Sequence, residues 1–325
     1  MRNRFLAALW LVMGATTALA APVDTPFAVG NRNPLAQIHA LPVLAGGSLL
    51  TAGEIGVSVA LEAANSFSSS RSGHEAIELD GETHRLDLGF AIGLGSGWEV
   101  GAQLPLIEHG GGSLDGFVEG WHDLFGLPDG GRPQAARDRL RYRYQRDGVT
   151  VLDVDDGTSG IGDLQLSAAQ SLWRDRDSAG ALRLTLIVPT GDADRLTGSG
   201  ASGLDLAASG SWRFGERWHS TLGAALFWKE DGDLAGFEQE NSGWRVGASL
   251  GWQGWSQLQL RAQLDAHSAL YDSALAELGD DAVLLSLGGR VTLSRVWDLD
   301  LVVVEDLSVD TAPDVALQMA LRGCY

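Results

Sequence analysis

Arg85-Leu86-Asp87-Leu88-Gly89-Phe90-Ala91-Ile92-Gly93-Leu94 places a large apolar side chain at every second position and a charged or very small residue between each pair. Successive side chains of a β-strand point to opposite faces. This segment therefore reads as a strand with one wholly apolar face and one polar or near-empty face. The pattern repeats. Leu182, Leu184, Leu186 and Val188 alternate with Ala181, Arg183 and Thr185; Trp244, Val246, Ala248, Leu250 and Trp252 with Arg245, Gly247, Ser249 and Gly251; Leu258, Leu260, Ala262 and Leu264 with Gln259, Arg261, Gln263 and Asp265.

Soluble sandwiches alternate too, so length and the polar face must decide. These segments run for about ten residues, enough to cross a bilayer at ~45° tilt, whereas soluble strands cluster near 5–6 residues. The polar face carries Gly, Ser, Ala and charges of both signs, which suits an enclosed lumen. The expected fold is an all-β, transmembrane, antiparallel up-and-down β-barrel of about 12 strands. Strands are expected at 53–63, 84–95, 98–107, 162–173, 180–189, 203–213, 217–229, 242–252, 256–267, 281–293, 298–306 and 314–323. Short turns alternate with long connections at 64–83, 108–161, 190–202, 230–241 and 268–280, as periplasmic turns and external loops do. Leu140 to Gln145 and Val149 to Val154, joined by Arg146-Asp147-Gly148, read as a further hairpin. The count becomes 14 if that hairpin joins the wall.

Arg2 and Arg4, the apolar stretch Phe5 to Met13, and Ala18-Leu19-Ala20 read as a signal peptide, residues 1–20, cleaved before Ala21. Residues 21–48, with Pro22, Pro26, Pro34 and Pro42, are expected to be a lumen plug or a periplasmic tail, and 49–325 the barrel. Among 325 residues, 42 Asp+Glu outnumber 23 Lys+Arg. This acidic surface argues against nucleic acid as a partner. The lone Cys324 makes no internal disulfide.

Trp98, Trp173, Trp212, Trp218, Trp252, Trp255 and Trp297 fall beside the short turns, and Trp228 and Trp244 flank a long loop. Indoles favour the headgroup level, so the seven are expected to form an aromatic girdle. Val315, Leu317, Met319, Leu321 and Tyr325 share one parity. A terminal strand ending on an aromatic resembles the signal read by the barrel-assembly machinery.

Gly30-Asn31-Arg32-Asn33-Pro34-Leu35, Asp115-Gly116-Phe117-Val118-Glu119-Gly120-Trp121-His122 and Leu127-Pro128-Asp129-Gly130-Gly131-Arg132 resemble an uncharacterised Gram-negative outer-membrane family, a domain of unknown function. Gly160-Ile161-Gly162-Asp163, Val188-Pro189-Thr190-Gly191-Asp192 and Thr197-Gly198-Ser199-Gly200 resemble the wider group of MetA-pathway phenol-degradation barrels. The resemblance implies the bacterial outer membrane and, loosely, passage of a small molecule. Those glycines also serve tight loops, and Pro189 suits a strand end.

Parity assigns a lumen lining of Arg85, Asp87, Glu99, Gln103, Asp163, Gln165, Arg183, Asp205, Arg213, Arg245, Arg261, Gln263, Asp265 and Arg290. It serves as a selectivity surface or as an ion-pair network filling a narrow barrel. Phe117, Trp121 and Phe125, at helical spacing, are expected to form a lid over the mouth or to pack within their own loop. Arg137, Arg139, Arg141 and Arg143 are a local reversal of charge. They suit contact with lipopolysaccharide phosphates or an anionic solute, or a solvated loop balanced by Asp138, Asp147, Asp153, Asp155 and Asp156. The last three lack the ligand spacing of a calcium loop. The histidines show no metal spacing, and His219-Ser220 and His267-Ser268 are adjacent, so each pair points to opposite faces. No cofactor and no enzymatic activity are expected. The expected role is a channel for a small solute; the alternative is a sealed barrel that acts structurally or in surface contact.

Overall fold

The structure, a computed structural model, describes residues 25–112, 116, 139–234, 236–308 and 310–325. Its strands are β1 (Ile55–Ser72), β2 (Glu75–Gly95), β3 (Trp98–Gly110), β4 (Arg141–Arg146), β5 (Val149–Val154), β6 (Thr158–Ile161), β7 (Leu164–Arg174), β8 (Ser178–Val188), β9 (Gly203–Phe214), β10 (Trp218–Lys229), β11 (Ser242–Trp255), β12 (Leu258–His267), β13 (Ala282–Thr292), β14 (Trp297–Asp306) and β15 (Val315–Cys324). Twelve of them close an antiparallel barrel in the order β1-β2-β3-β7-β8-β9-β10-β11-β12-β13-β14-β15. The seam is the β1–β15 pairing, from Gly56 opposite Cys324 to Asn65 opposite Val315. The β4–β5 hairpin turns on Asp147 and Gly148, both at positive φ, as a two-residue hairpin loop requires. It pairs with β2 at Glu75–Asp80, above the closed wall, so the wall count is twelve. The short β6 pairs with β3 at Leu106–His109 and was not foreseen.

One expected loop is not a loop. Residues 64–83 continue β1 and β2, which stay in register from Ile55 opposite Ile92 to Ser72 opposite Glu75. At ~3.3 Å per residue, the 18 residues of β1 reach well past a bilayer's hydrocarbon, which needs only about 9–11 tilted residues. The serine-rich stretch hid the strand because neither of its faces is apolar. β11 likewise runs on to Trp255, through a register shift at Gln253.

The apolar rows face outward. Leu88, Leu184, Leu222, Leu250 and Leu287 are 40–54% exposed, while Asp87, Asp205, Arg261, Asp300 and Gln318 on the inner face are buried. Burying one large apolar side chain stabilises by about 1.5–3 kcal/mol. A dozen left in water would forgo roughly 20–35 kcal/mol, more than the ~5–15 kcal/mol net stability of a domain. Hydrocarbon is the solvent in which this wall is stable.

Residues 25–52 run inside the barrel. Thr25 accepts a bond from Arg290 near the short-turn end. The Phe27 amide and carbonyl both bond the Gln263 side chain. At the loop end the segment forms a helical turn, α1 (Pro34–Gln37), capped by the Asn33 side chain. It then descends past Gln165, Ser209 and Ser211 to Leu50, whose amide donates to Glu99. Apart from Thr25, whose hydroxyl is the acceptor, each of these wall contacts is a side chain satisfying a backbone group that no strand serves. The loop end closes over α1 as a dry core: Leu35 and Ile38 pack with Ile77, Leu79, Tyr142, Tyr144, Leu152, Val154, Leu196, Phe227, Leu270 and Tyr271.

Candidate functional site: the barrel interior

The residues assigned to the lumen by parity are buried or half-buried, and half of them are drawn into ion pairs. Arg85 forks onto Asp87 at 2.8 and 2.9 Å. Arg245 forks onto Asp205 at 2.7 Å on both arms. Arg183 reaches Glu99 at 2.8 Å, and Arg290 reaches Asp300 at 2.6 and 2.9 Å. Bidentate guanidinium–carboxylate pairs are the strong kind, and inside a barrel each partner left alone would carry an uncompensated charge. Arg261 bonds Ser249 and Gln259, and Gln263 donates to Asp265. Gln103 donates to Asp87. Arg213 is half-buried at the short-turn rim.

Asp163 has a different task. Its carboxylate accepts from the amides of Gly191 and Ser199 at 2.9 and 3.2 Å. It ties the Gly-Ile-Gly-Asp stretch to both neighbouring loop motifs. A Cβ on Gly198 would sit 2.3 Å from that carboxylate, and one on Gly191 would sit 2.6 Å from Gly198. The three motifs are thus one packed knot, and glycine is what lets the backbones approach.

Sequence reading missed five partners. Arg32 binds Glu62 at 2.7 Å and lies 3.9 Å from Asp87. Arg322 binds Asp300 at 3.1 Å. Gln318 donates to the Ala28 carbonyl. Glu62, Asp300, Gln318 and Arg322 share the inward parity of their strands, so the signal was present. Arg32 lies on the inner segment, which has no strand period to read.

Near the loop end, Lys229 donates to the His39 carbonyl, to His39 Nδ1 and to Ser199. Burial, with Lys229 beside it, holds His39 well below the usual histidine range, so the imidazole is neutral. Burial pushes the Tyr271 phenol up; its hydroxyl donates to the Leu35 carbonyl at 2.7 Å. Neither ring joins a catalytic pair. His267 bonds Asn31 and the Ser268 carbonyl rather than the Ser268 hydroxyl, and His219 is buried while Ser220 lies on the opposite parity.

Between the inner segment and strands β1, β2, β3, β7, β8 and β15 lies a cavity of about 320 Å³. It extends from Gln165 and Thr185 to the short-turn rim at Asp298 and Cys324.

On the outside, Trp98, Trp173, Trp218 and Trp255 are exposed, and Trp212, Trp252 and Trp297 are half-buried beside the short turns. Several indoles lie over glycines: Cβ atoms added at Gly180, Gly210, Gly254 and Gly323 would meet Trp173, Trp212, Trp252 and Trp297 at 2.1–2.7 Å. Trp297 also packs edge-on against Tyr325. The arginines expected to contact anions are taken up by carboxylates: Arg139 by Glu78 and Asp80, Arg141 by Asp153 and Asp155, and Arg143 by Asp153. Alternate positions on neighbouring strands placed both signs side by side, so the local excess of positive charge is cancelled. Arg137, the stripe Phe117, Trp121 and Phe125, and residues 1–20 lie outside the described residues.

The family model described as protein of unknown function (DUF3187) matches residues 6–324. No curated protein matches the sequence. Among solved structures, the chain is similar to the COG4313 outer membrane channel from Pseudomonas putida F1. The TM-score is 0.57 at 16% identity, over 85% of this chain and 97% of that one. The NanC porin gives 0.46 at 8% identity, over 83% and 98%. A Pseudomonas aeruginosa FadL homologue gives 0.42 at 9%, over 92% and 99%. The first of these likenesses shows the fold.

Proposed function

The chain belongs to the DUF3187 family, and we propose that it serves as an outer-membrane channel for a small solute, held shut by its own N-terminal segment. The observation that carries this reading is the way residues 25–52 occupy the lumen. They add no strand to the wall; they are held by separate side-chain bonds from Gln263, Gln318, Gln165 and Ser209 to single carbonyls. Each such bond is worth only about 0.5–1.5 kcal/mol net and none belongs to the wall ladder, so release costs these bonds, the Arg32–Glu62 pair and the Leu35 and Ile38 packing but unzips no strand. The apolar outer wall supports the membrane setting, and the loop motifs that resemble the phenol-degradation barrels support small-molecule passage. The seven tryptophans serve as the short-turn girdle, and the last strand, ending on Tyr325, is the stretch handed to the assembly machinery.

Planar-bilayer conductance tests the proposal. The full chain should conduct rarely or not at all, and a chain lacking residues 26–50 should show regular current steps. A correctly folded deletion variant that never conducts would reject the channel and leave the sealed barrel, the reading favoured by the dry core over the loop end.

A further inference from the structure

We propose that the cavity beside the inner segment is a binding site for an uncharged, polyhydroxylated solute of about monosaccharide size. The inference rests on the channel reading and names the class of solute.

The size follows from the volume. About 320 Å³ is on the order of ten water volumes at ~30 Å³ each, room for a solute of about ten to a dozen non-hydrogen atoms.

The charge follows from the pairing. Arg183 is matched to Glu99 and Arg85 to Asp87, and Arg322, which shares Asp300 with Arg290, has the Asp298 carboxylate of the cavity rim near enough to act on it. An ionic solute would have to break one of these pairings or carry its charge into the interior unmatched.

The polarity follows from the remaining groups. Gln103 spends one amide hydrogen on Asp87 and Gln165 spends one on the Ala40 carbonyl. Both line the cavity with Ser58, Ser167 and Thr185, and each amide keeps further donor and acceptor capacity. An apolar solute would cover these groups without replacing water's hydrogen bonds, and a buried donor or acceptor left unpaired is penalised. Opposite them the inner segment presents Pro42, Val43, Leu44 and Ala45. The lining thus mixes hydrogen-bonding groups with hydrocarbon, and a ring with hydroxyls at its edge and C–H bonds on its face satisfies both.

Titration calorimetry on the full-length protein in lipid nanodiscs tests this, with D-glucose, gluconate, glucosamine and toluene as probes. Glucose should bind, and gluconate, glucosamine and toluene should each bind at least tenfold more weakly. Gln103→Leu should weaken glucose binding at least fivefold. Ser167→Phe, which fills the cavity, should abolish it. A heat-modifiable gel band confirms that each variant is folded. Preferential binding of a charged probe or of toluene overturns the proposal. So does the absence of glucose binding, and so does glucose binding that both folded variants leave unchanged. Conductance separates the two readings: glucose binding without current in the deletion variant defeats the channel alone, and current without glucose binding defeats this site alone.

Discussion

β2 has two halves that obey opposite rules. Below His84 its outward side chains are Leu86, Leu88, Phe90, Ile92 and Leu94, and its inward ones include Arg85 and Asp87. Above His84 the same parity carries Glu82 and Asp80, buried beside His84 and Arg139, and the part-exposed Glu78, while the buried inward row becomes Leu79 and Ile77. One unbroken strand thus exchanges an apolar outside for a polar one, and a polar inside for an apolar one. The backbone does not change; the solvent does. Hydrocarbon wets the lower outside and water the upper outside, so polar groups shelter within the barrel below and apolar groups within the loop-end core above.

Substitutions on this single strand sharpen the comparison. Asp87→Ala should have the largest effect, about 3–5 kcal/mol, because it leaves Arg85 charged and buried without its carboxylate and Arg32 with Glu62 alone. Urea unfolding in lipid bilayers measures it. Leu79→Ala, in the upper interior, should cost about 2–5 kcal/mol as a core cavity and should leave the girdle tryptophan fluorescence of the folded state unchanged. Leu88→Arg, on the lower outside, should cost about 2–4 kcal/mol at the bilayer midplane. The same change read in a detergent micelle should cost less, because a micelle lets water and headgroups reach the arginine. Glu78→Ala, on the upper outside, should cost under about 1 kcal/mol despite its pairing with Arg139, and the cost should shrink further in salt. Equal costs for Leu88→Arg and Glu78→Ala would remove the solvent boundary from the account.

How much of this was legible depends on how local the signal is. The wall was legible because alternation is a contact between each residue and its own solvent, readable within ten positions. Arg245 and Asp205 could be placed inward for the same reason, though not paired, since their strands meet only through β10. The upper half of β1 was illegible as strand because Ser66, Ser68, Ser69 and Ser70 mark neither face, and without it the short alternation at residues 77–80 of β2 had no visible partner. The path of residues 25–52 was illegible for a deeper reason. Its contacts join positions hundreds of residues apart, as Phe27 with Gln263, and its own sequence has no period. A faint trace exists on the receiving side. Inward glycines that read as a narrow lumen are recesses: a Cβ on Gly223 would meet Leu44 at 2.5 Å, and one on Gly288 would meet Phe27 at 3.1 Å. Charge alone did not reveal the carboxylates beside Arg139, Arg141 and Arg143, which come from β2 and from β5 and the residues just after it.

The central claim is that the N-terminal segment threads the interior of a lipid-facing barrel. A disulfide trap tests it most directly, with Leu44→Cys and Gly247→Cys in a Cys324→Ser background, oxidised in native membranes. A Cβ at Gly247 would lie 3.0 Å from the Leu44 side chain, so the account predicts a near-complete intramolecular crosslink that also silences any residual conductance. The wall pair Ala224→Cys and Val246→Cys, which face each other across β10 and β11, serves as the positive control. A crosslinked control beside an uncrosslinked Leu44–Gly247 pair would place the segment outside the barrel and contradict the account.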